Sequence, residues 1–177
     1  MSGPRHGPGR PAGPRVRLDE ETRDALAAVE VVLPTPADTF EFGRRLAGVL
    51  RAGDLLLLTG PLGAGKTALV QGIGAGLNVE GTVVSPTFVI ARVHPGPLPL
   101  VHVDAYRLGS LAEVDDLDLD VDAADAVTAV EWGAGRAEQL ADARLQILIS
   151  RAADTDERTV RLVPHGGDWA ARIAALN

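Results

Sequence analysis

The 177-residue chain has no cysteine, a single lysine, a single tyrosine and few aromatic side chains in all. Without cysteine there is no disulfide framework, no thiolate nucleophile and no Cys-based zinc or iron–sulfur ligation, so a reducing compartment is permitted. No apolar run approaches the roughly 20 residues needed to cross a bilayer, and the first residues lack the apolar segment of a secretory signal. The chain therefore reads as soluble, cytoplasmic and without a membrane partner. Acidic side chains outnumber basic ones, giving a net charge of -7. Such a surface opposes close approach to a phosphate backbone, so any nucleic acid is expected to be held by a partner.

Residues 1–17 hold four prolines, four glycines and four arginines and no acid. That composition buries too little apolar surface to offset its ordering entropy and predicts a disordered tail. Residues 18–177 are expected to form one domain, since the chain is long enough for one buried core and too short for two comfortable ones.

The pattern then becomes regular. Residues 19–30 suit a short helix and 31–33 a strand. Thr35 is a candidate N-cap, Pro36 fits the first helical position, and Phe42, Leu46, Val49 and Leu50 recur at spacings of three and four, predicting a surface helix over 36–51. Leu55–Thr59 is apolar without alternation, as in a strand covered on both faces. Helical spacing resumes at Lys66 with Leu69, Val70, Ile73 and Leu77, although Gly72, Gly74 and Gly76 each cost about 1 kcal/mol of helix propensity relative to alanine. Further strands are expected over 88–93, 100–103, 127–130 and 145–150. Segments 145–150 and 159–163 flank a polar turn and read as an antiparallel hairpin, and the final WAARIAAL reads as a helix. The alternation predicts an α/β fold: a P-loop NTPase-like, mostly parallel sheet flanked by helices, with a C-terminal antiparallel hairpin.

Between the strand ending at Thr59 and the helix starting at Lys66 lies GPLGAGKT, residues Gly60, Pro61, Leu62, Gly63, Ala64, Gly65, Lys66 and Thr67, with Ala68 next in the helix. The spacing is G-x-x-x-x-G-K-[ST], in the strand–loop–helix context that gives the motif its meaning. Glycines let successive backbone N–H groups converge on phosphate oxygens, and the helix amino terminus adds its positive end. Lys66 is suited to bridge β- and γ-phosphates, and the Thr67 hydroxyl to ligate Mg2+. Lys66 is the one lysine in a chain whose other basic side chains are all arginine; a compact ammonium stands where a planar fork would not serve. An N-K-x-D guanine-reading motif would need a second lysine, so ATP is favoured over GTP. A purely structural turn is the alternative.

Three polar stations follow. Ser85, Pro86 and Thr87 form either a plain turn or a switch loop that places a hydroxyl near magnesium or the γ-phosphate. His102, Asp104, Tyr106 and Arg107 follow an apolar run that puts Asp104 at a strand's carboxyl end, where magnesium-side acids of P-loop proteins sit; a core histidine with an Asp–Arg pair is the plainer reading. Glu131 and Trp132 end the next strand. Glu131 is a candidate to hold magnesium through water or to polarise the attacking water, and Trp132 either packs beside adenine or fills the core edge. The acidic stretch through Glu113, Asp115, Asp116, Asp118, Asp120, Asp122 and Asp125 lacks the glycine and glutamate of a calcium loop and reads as a solvated or partner-docking face.

LTGPLGAGKT, SPTF, HVDAYRL and VEW, in this order, closely resemble the TsaE (YjeE) family of small bacterial ATPases over roughly residues 33–163. The resemblance implies Mg-ATP hydrolysis in support of the TsaD–TsaB pair, which forms N6-threonylcarbamoyladenosine beside the tRNA anticodon, with the ATPase resetting that complex between turnovers. It implies that Gly60 to Thr67 cradle phosphates, Thr67 and Glu131 take the magnesium side, Asp104 is needed for hydrolysis, and Trp132 neighbours the nucleotide. It further places the Thr35 region near adenine and Arg158 or Arg161 on the nucleotide's far side. Gly133 stands where many members have proline. A small-molecule kinase and a nucleotide-gated binding module are the competing classes.

Overall fold

The computed structural model describes residues 18–61, 63–84, 91–104, 122–131 and 142–176. The expectations for 1–17, Leu62, Ser85–Thr87, 88–90, Tyr106, Arg107, Glu113 to Asp120 and Trp132 lie outside the described residues.

The first helix, α1 (Glu20–Leu26), is capped by Asp19, whose carboxylate accepts from the Thr22 amide at 2.7 Å. β1 (Val29–Leu33) leads to Thr35, the N-cap of α2 (Pro36–Ala47). The cap is reciprocal. The Thr35 hydroxyl accepts from the Asp38 amide at 3.2 Å, and the Asp38 carboxylate accepts from the Thr35 amide at 2.9 Å. This satisfies amide groups that a helix start otherwise leaves unpaired. The helix stops at Ala47 rather than residue 51, because Asp54 accepts from the Arg51 amide at 2.6 Å and Gly53, at φ +88°, turns the chain into β2 (Leu55–Thr59).

After β2 comes α3 (Lys66–Gly76). Gly72 and Gly76, costly in an isolated helix, allow close packing on α2. A Cβ on Gly72 would lie 2.0 Å from the Phe40 carbonyl oxygen, and one on Gly43 of α2 would lie 2.3 Å from that of Leu69. Tertiary contact thus overrides propensity.

β3 (Ala91–His94), β4 (Leu100–Asp104), a short 3-10 turn (Ala123–Asp125), β5 (Val127–Glu131), β6 (Arg144–Arg151), β7 (Arg158–His165) and α4 (Trp169–Ala174) complete the described elements. The described strands form one seven-stranded sheet in the order β1-β7-β6-β2-β5-β4-β3. β6, β2, β5 and β4 run parallel at its centre; β7 is antiparallel to β6, β1 is antiparallel to β7 and so runs with the centre, and β3 is antiparallel to β4 at the other edge. The expected hairpin exists as β6–β7, but it is internal: β6 is also a member of the parallel centre, and β7 carries β1. The antiparallel edge at β3 follows from the five residues separating His94 from Leu100, too few for a crossover between parallel strands.

One face of the sheet joins α2, α3 and α4 in a single core. Leu56 and Leu58 of β2, Ala129 of β5 and Ile147 of β6 meet Leu46, Leu69, Ile73, Trp169 and Ile173 there. Alternation sends Leu57, Val101, Val103 and Val130 to the opposite face, where they too are buried. Both faces being covered explains the unbroken apolar run of β2.

Candidate nucleotide-binding site

The glycine loop sits at the carboxyl end of β2, between neighbours β6 and β5. Gly60 is required by packing, since a Cβ there would lie 2.5 Å from the Ile149 carbonyl oxygen of β6. Gly63, at φ +77°, has nothing within 4 Å of its Cβ position, so the crest of the loop is open. Gly65, at φ +105°, takes the N-cap position of α3 without a side chain to cap it. The amino-terminal amides of α3 thus receive no capping hydroxyl or carboxylate, an arrangement that suits an anion. Lys66 is only 8% exposed, and its ammonium donates to the Gly60 carbonyl at 2.7 Å. The side chain is folded back along the loop, so that its charge lies inside the loop's curve. Thr67 and Ala68, in the first turn of α3, are half-buried.

Two carboxylates come to the same end of the sheet. Glu131, the last residue of β5, is in register with Leu58 of β2 on one side and Asp104, the last residue of β4, on the other. Parallel registry puts the three side chains on the face that α3 covers. Glu131 is 12% exposed at its side chain and its Oε1 lies 2.9 Å from Nε2 of His102, which is completely buried. His102 is therefore an interior residue of β4. A second buried imidazole, His94 of β3, is held below the usual histidine range, by burial first and then by its neighbours His102 and Arg92.

From the other side, Arg158 at the start of β7 and Thr39 of α2 close on the loop. A Cβ on Gly65 would lie 3.3 Å from Arg158 Nε and 3.7 Å from Thr39 Cγ2. Arg158 is 7% exposed and its Nη1 donates to the Asp156 carbonyl at 2.8 Å. Arg161 has the opposite parity on β7 and is exposed. Of the two arginines named from the sequence, Arg158 is the one brought to the loop. Thr35 is exposed and its hydroxyl is engaged with Asp38, at 2.7 Å as a donor. Thr39, one helical turn further, makes the approach to Gly65. No sequence motif marks Thr39, although an i+4 position from a cap residue lies above that cap on the same helix face.

Among the described residues no group of three or more His, Asp or Glu side chains is arranged to hold a metal ion. The donors at hand are the Thr67 hydroxyl with Glu131 and Asp104. That set suits Mg2+, which binds through one or two carboxylates together with substrate phosphates rather than in an all-protein cage.

Comparison with known proteins agrees with this geometry. The family model described as threonylcarbamoyl adenosine biosynthesis protein TsaE matches residues 33–160. The tRNA threonylcarbamoyladenosine biosynthesis protein TsaE of Streptomyces coelicolor is 60% identical over 138 residues, covering 73% of this chain and 93% of that protein. The Bacillus subtilis protein of the same description is 41% identical over 136 residues, 76% of this chain and 84% of its own. The crystal structure of Bacillus subtilis YdiB superposes with a TM-score of 0.67 at 33% identity, covering 84% of this chain and 93% of that one. The match runs from the last residue of β1 into β7, taking in the glycine loop, both strand-end carboxylates and Arg158, and leaving α1 and α4 outside it. With the loop, the carboxylates and the central strands β2, β4, β5 and β6 all within that span, the chain belongs to the TsaE family.

Proposed function

We propose that this chain binds Mg-ATP in the glycine loop and hydrolyses it in support of N6-threonylcarbamoyladenosine formation next to the tRNA anticodon. The observation that carries the reading is the loop itself: an open crest at Gly63, an uncapped α3 amino terminus and the chain's one lysine folded into the curve. In this reading residues 18–177 act as a single ATPase domain in the cytoplasm, and the names of the relatives supply the pathway.

The loop amides and the α3 amino terminus receive the phosphates, and Lys66 exchanges its Gly60 carbonyl for β- and γ-phosphate oxygens. The Thr67 hydroxyl and Glu131 hold magnesium, with Asp104 beside them. When bound, the ion neutralises charge that builds on the phosphate oxygens. Asp104 is assigned to the hydrolytic step and orients the water that attacks the γ-phosphorus as the bond to the β–γ bridging oxygen breaks. Arg158 stands on the opposite flank of the loop to meet negative charge there, and Trp132 neighbours the base. Ser85, Thr87, Tyr106 and Arg107 are assigned to the segments that respond to the triphosphate.

Turnover at this site serves the TsaD–TsaB pair, which carries the tRNA, and resets it between rounds of transfer. The decisive experiment is a reconstituted modification assay with TsaD, TsaB, the synthase that supplies threonylcarbamoyl-adenylate, and tRNA. Multiple-turnover modification should require this chain and ATP. Equal multiple-turnover modification without the chain would remove the assignment.

A further inference from the structure

We propose that His102 is a positioning residue for Glu131, fixing which carboxylate oxygen is presented to magnesium; the proposal deepens the Mg-ATP reading and rests on it. β4 is otherwise apolar where His102 lies: Leu100, Val101 and Val103 are all buried. An imidazole is an expensive choice for such a position. Its Nδ1 is buried with no hydrogen-bond partner among the described residues, and an unpaired polar atom in an interior is a net cost that leucine or valine would not carry. What offsets that cost is Nε2, which lies 2.9 Å from Oε1 of Glu131, a distance typical of a hydrogen bond to an ionised carboxylate.

The chemistry of the pair is specific. With Nδ1 facing no acceptor among the described residues, the arrangement that wastes least carries a hydrogen on Nε2, where it donates to Glu131. The contact removes the rotational freedom of a strand-end glutamate. One oxygen is occupied by His102, and Oε2 is the oxygen offered to the ion or to its bound water. Partners of metal-ligating side chains act in this way elsewhere, and their loss weakens metal binding by about 10–100-fold.

The test compares His102→Phe, which keeps a flat ring and removes the donor, with His102→Gln, whose amide nitrogen reaches the same place and restores it. Nucleotide binding to the full chain is followed by calorimetry while free Mg2+ is titrated. The Mg2+ concentration at half-effect should rise about tenfold in His102→Phe and stay within about twofold of wild type in His102→Gln, with Mg2+-free nucleotide affinity unchanged in both. A wild-type midpoint in His102→Phe overturns the positioning role and leaves the Mg-ATP reading standing. Nucleotide binding that ignores Mg2+ in the wild type overturns both. Because a buried substitution can also unfold the chain, a second measurement needs no variant: nitrogen-15 NMR of the histidine rings in the wild-type protein should show His102 with hydrogen on Nε2 and a bare Nδ1. The opposite tautomer overturns the proposal.

Discussion

Arg158 and Arg172 are almost equally buried, 7% and 8% exposed, at opposite ends of the sheet. Arg172, in α4, lies at the end where the parallel strands begin. Its guanidinium donates to both oxygens of Asp54 just before β2 and to the Val49 carbonyl after α2, and it stacks on Trp169 at 3.9 Å. Arg45 of α2 reaches the Leu176 carbonyl nearby. Arg158, where the parallel strands end, donates to the Asp156 backbone and lies against Gly65; among the described residues it forms no ion pair. The two arginines divide labour accordingly. A cation whose charge is met within the fold fastens elements together, whereas one held by a carbonyl beside a glycine loop is, in the proposed function, the one to meet an anion.

This contrast can be broken by substitution. The largest effect is expected at the loop: Lys66→Ala should lower ATP turnover by about 10²–10³-fold, the scale for removing a group that meets developing charge. Its thermal midpoint should fall by less than that of Arg172→Met, because Lys66 fastens the loop rather than joining distant elements. Next comes Arg172→Met, which strands the Asp54 carboxylate in a site where it is 11% exposed. Breaking a buried pair from one side costs about 3–5 kcal/mol, on the order of 10 °C in Tm for a chain of this size. ATP turnover well below that Tm should stay within about twofold. If turnover falls as steeply as stability, the separation between the two ends is wrong.

Arg158→Met should do the reverse on a smaller scale, weakening ATP binding about tenfold, or about 1.4 kcal/mol, while thermal unfolding moves little. The smallest effect concerns His94. Its folded-state pKa lies below the ordinary 6.5 because burial, then His102 and Arg92, disfavour the charged ring. Below pH 6.5 the unfolded chain therefore binds a proton that the folded chain resists, so this contribution is complete above 6.5 and is lost as pH falls. Unfolding of wild type and His94→Leu between pH 7.5 and 5 should show the shallower decline in the variant.

Local chemistry made much of the site legible. The Thr35 cap, the extent of β2, the loop and the start of α3 depend on neighbours within a few residues, so composition and spacing foretold them. The two strand-end carboxylates were also anticipated, because an apolar run followed by Asp104 or Glu131 places the acid at a carboxyl end. The approach of Arg158 and Thr39 to Gly65 was not legible as such. Those three residues come from β7, α2 and the loop, and only strand order and the α2–α3 contact bring them together.

The same division holds for the glycines and for His102. By itself the sequence determined an α/β alternation, a phosphate-type loop and a single lysine at its end, because each follows from short-range periodicity or backbone freedom. Only the tertiary structure decided why Gly72 tolerates its helix, that β3 turns back as an antiparallel edge, and that the buried histidine of β4 belongs to Glu131 of β5. Those outcomes depend on packing between segments distant in the chain, and residue spacing carries no record of which distant segment will arrive alongside.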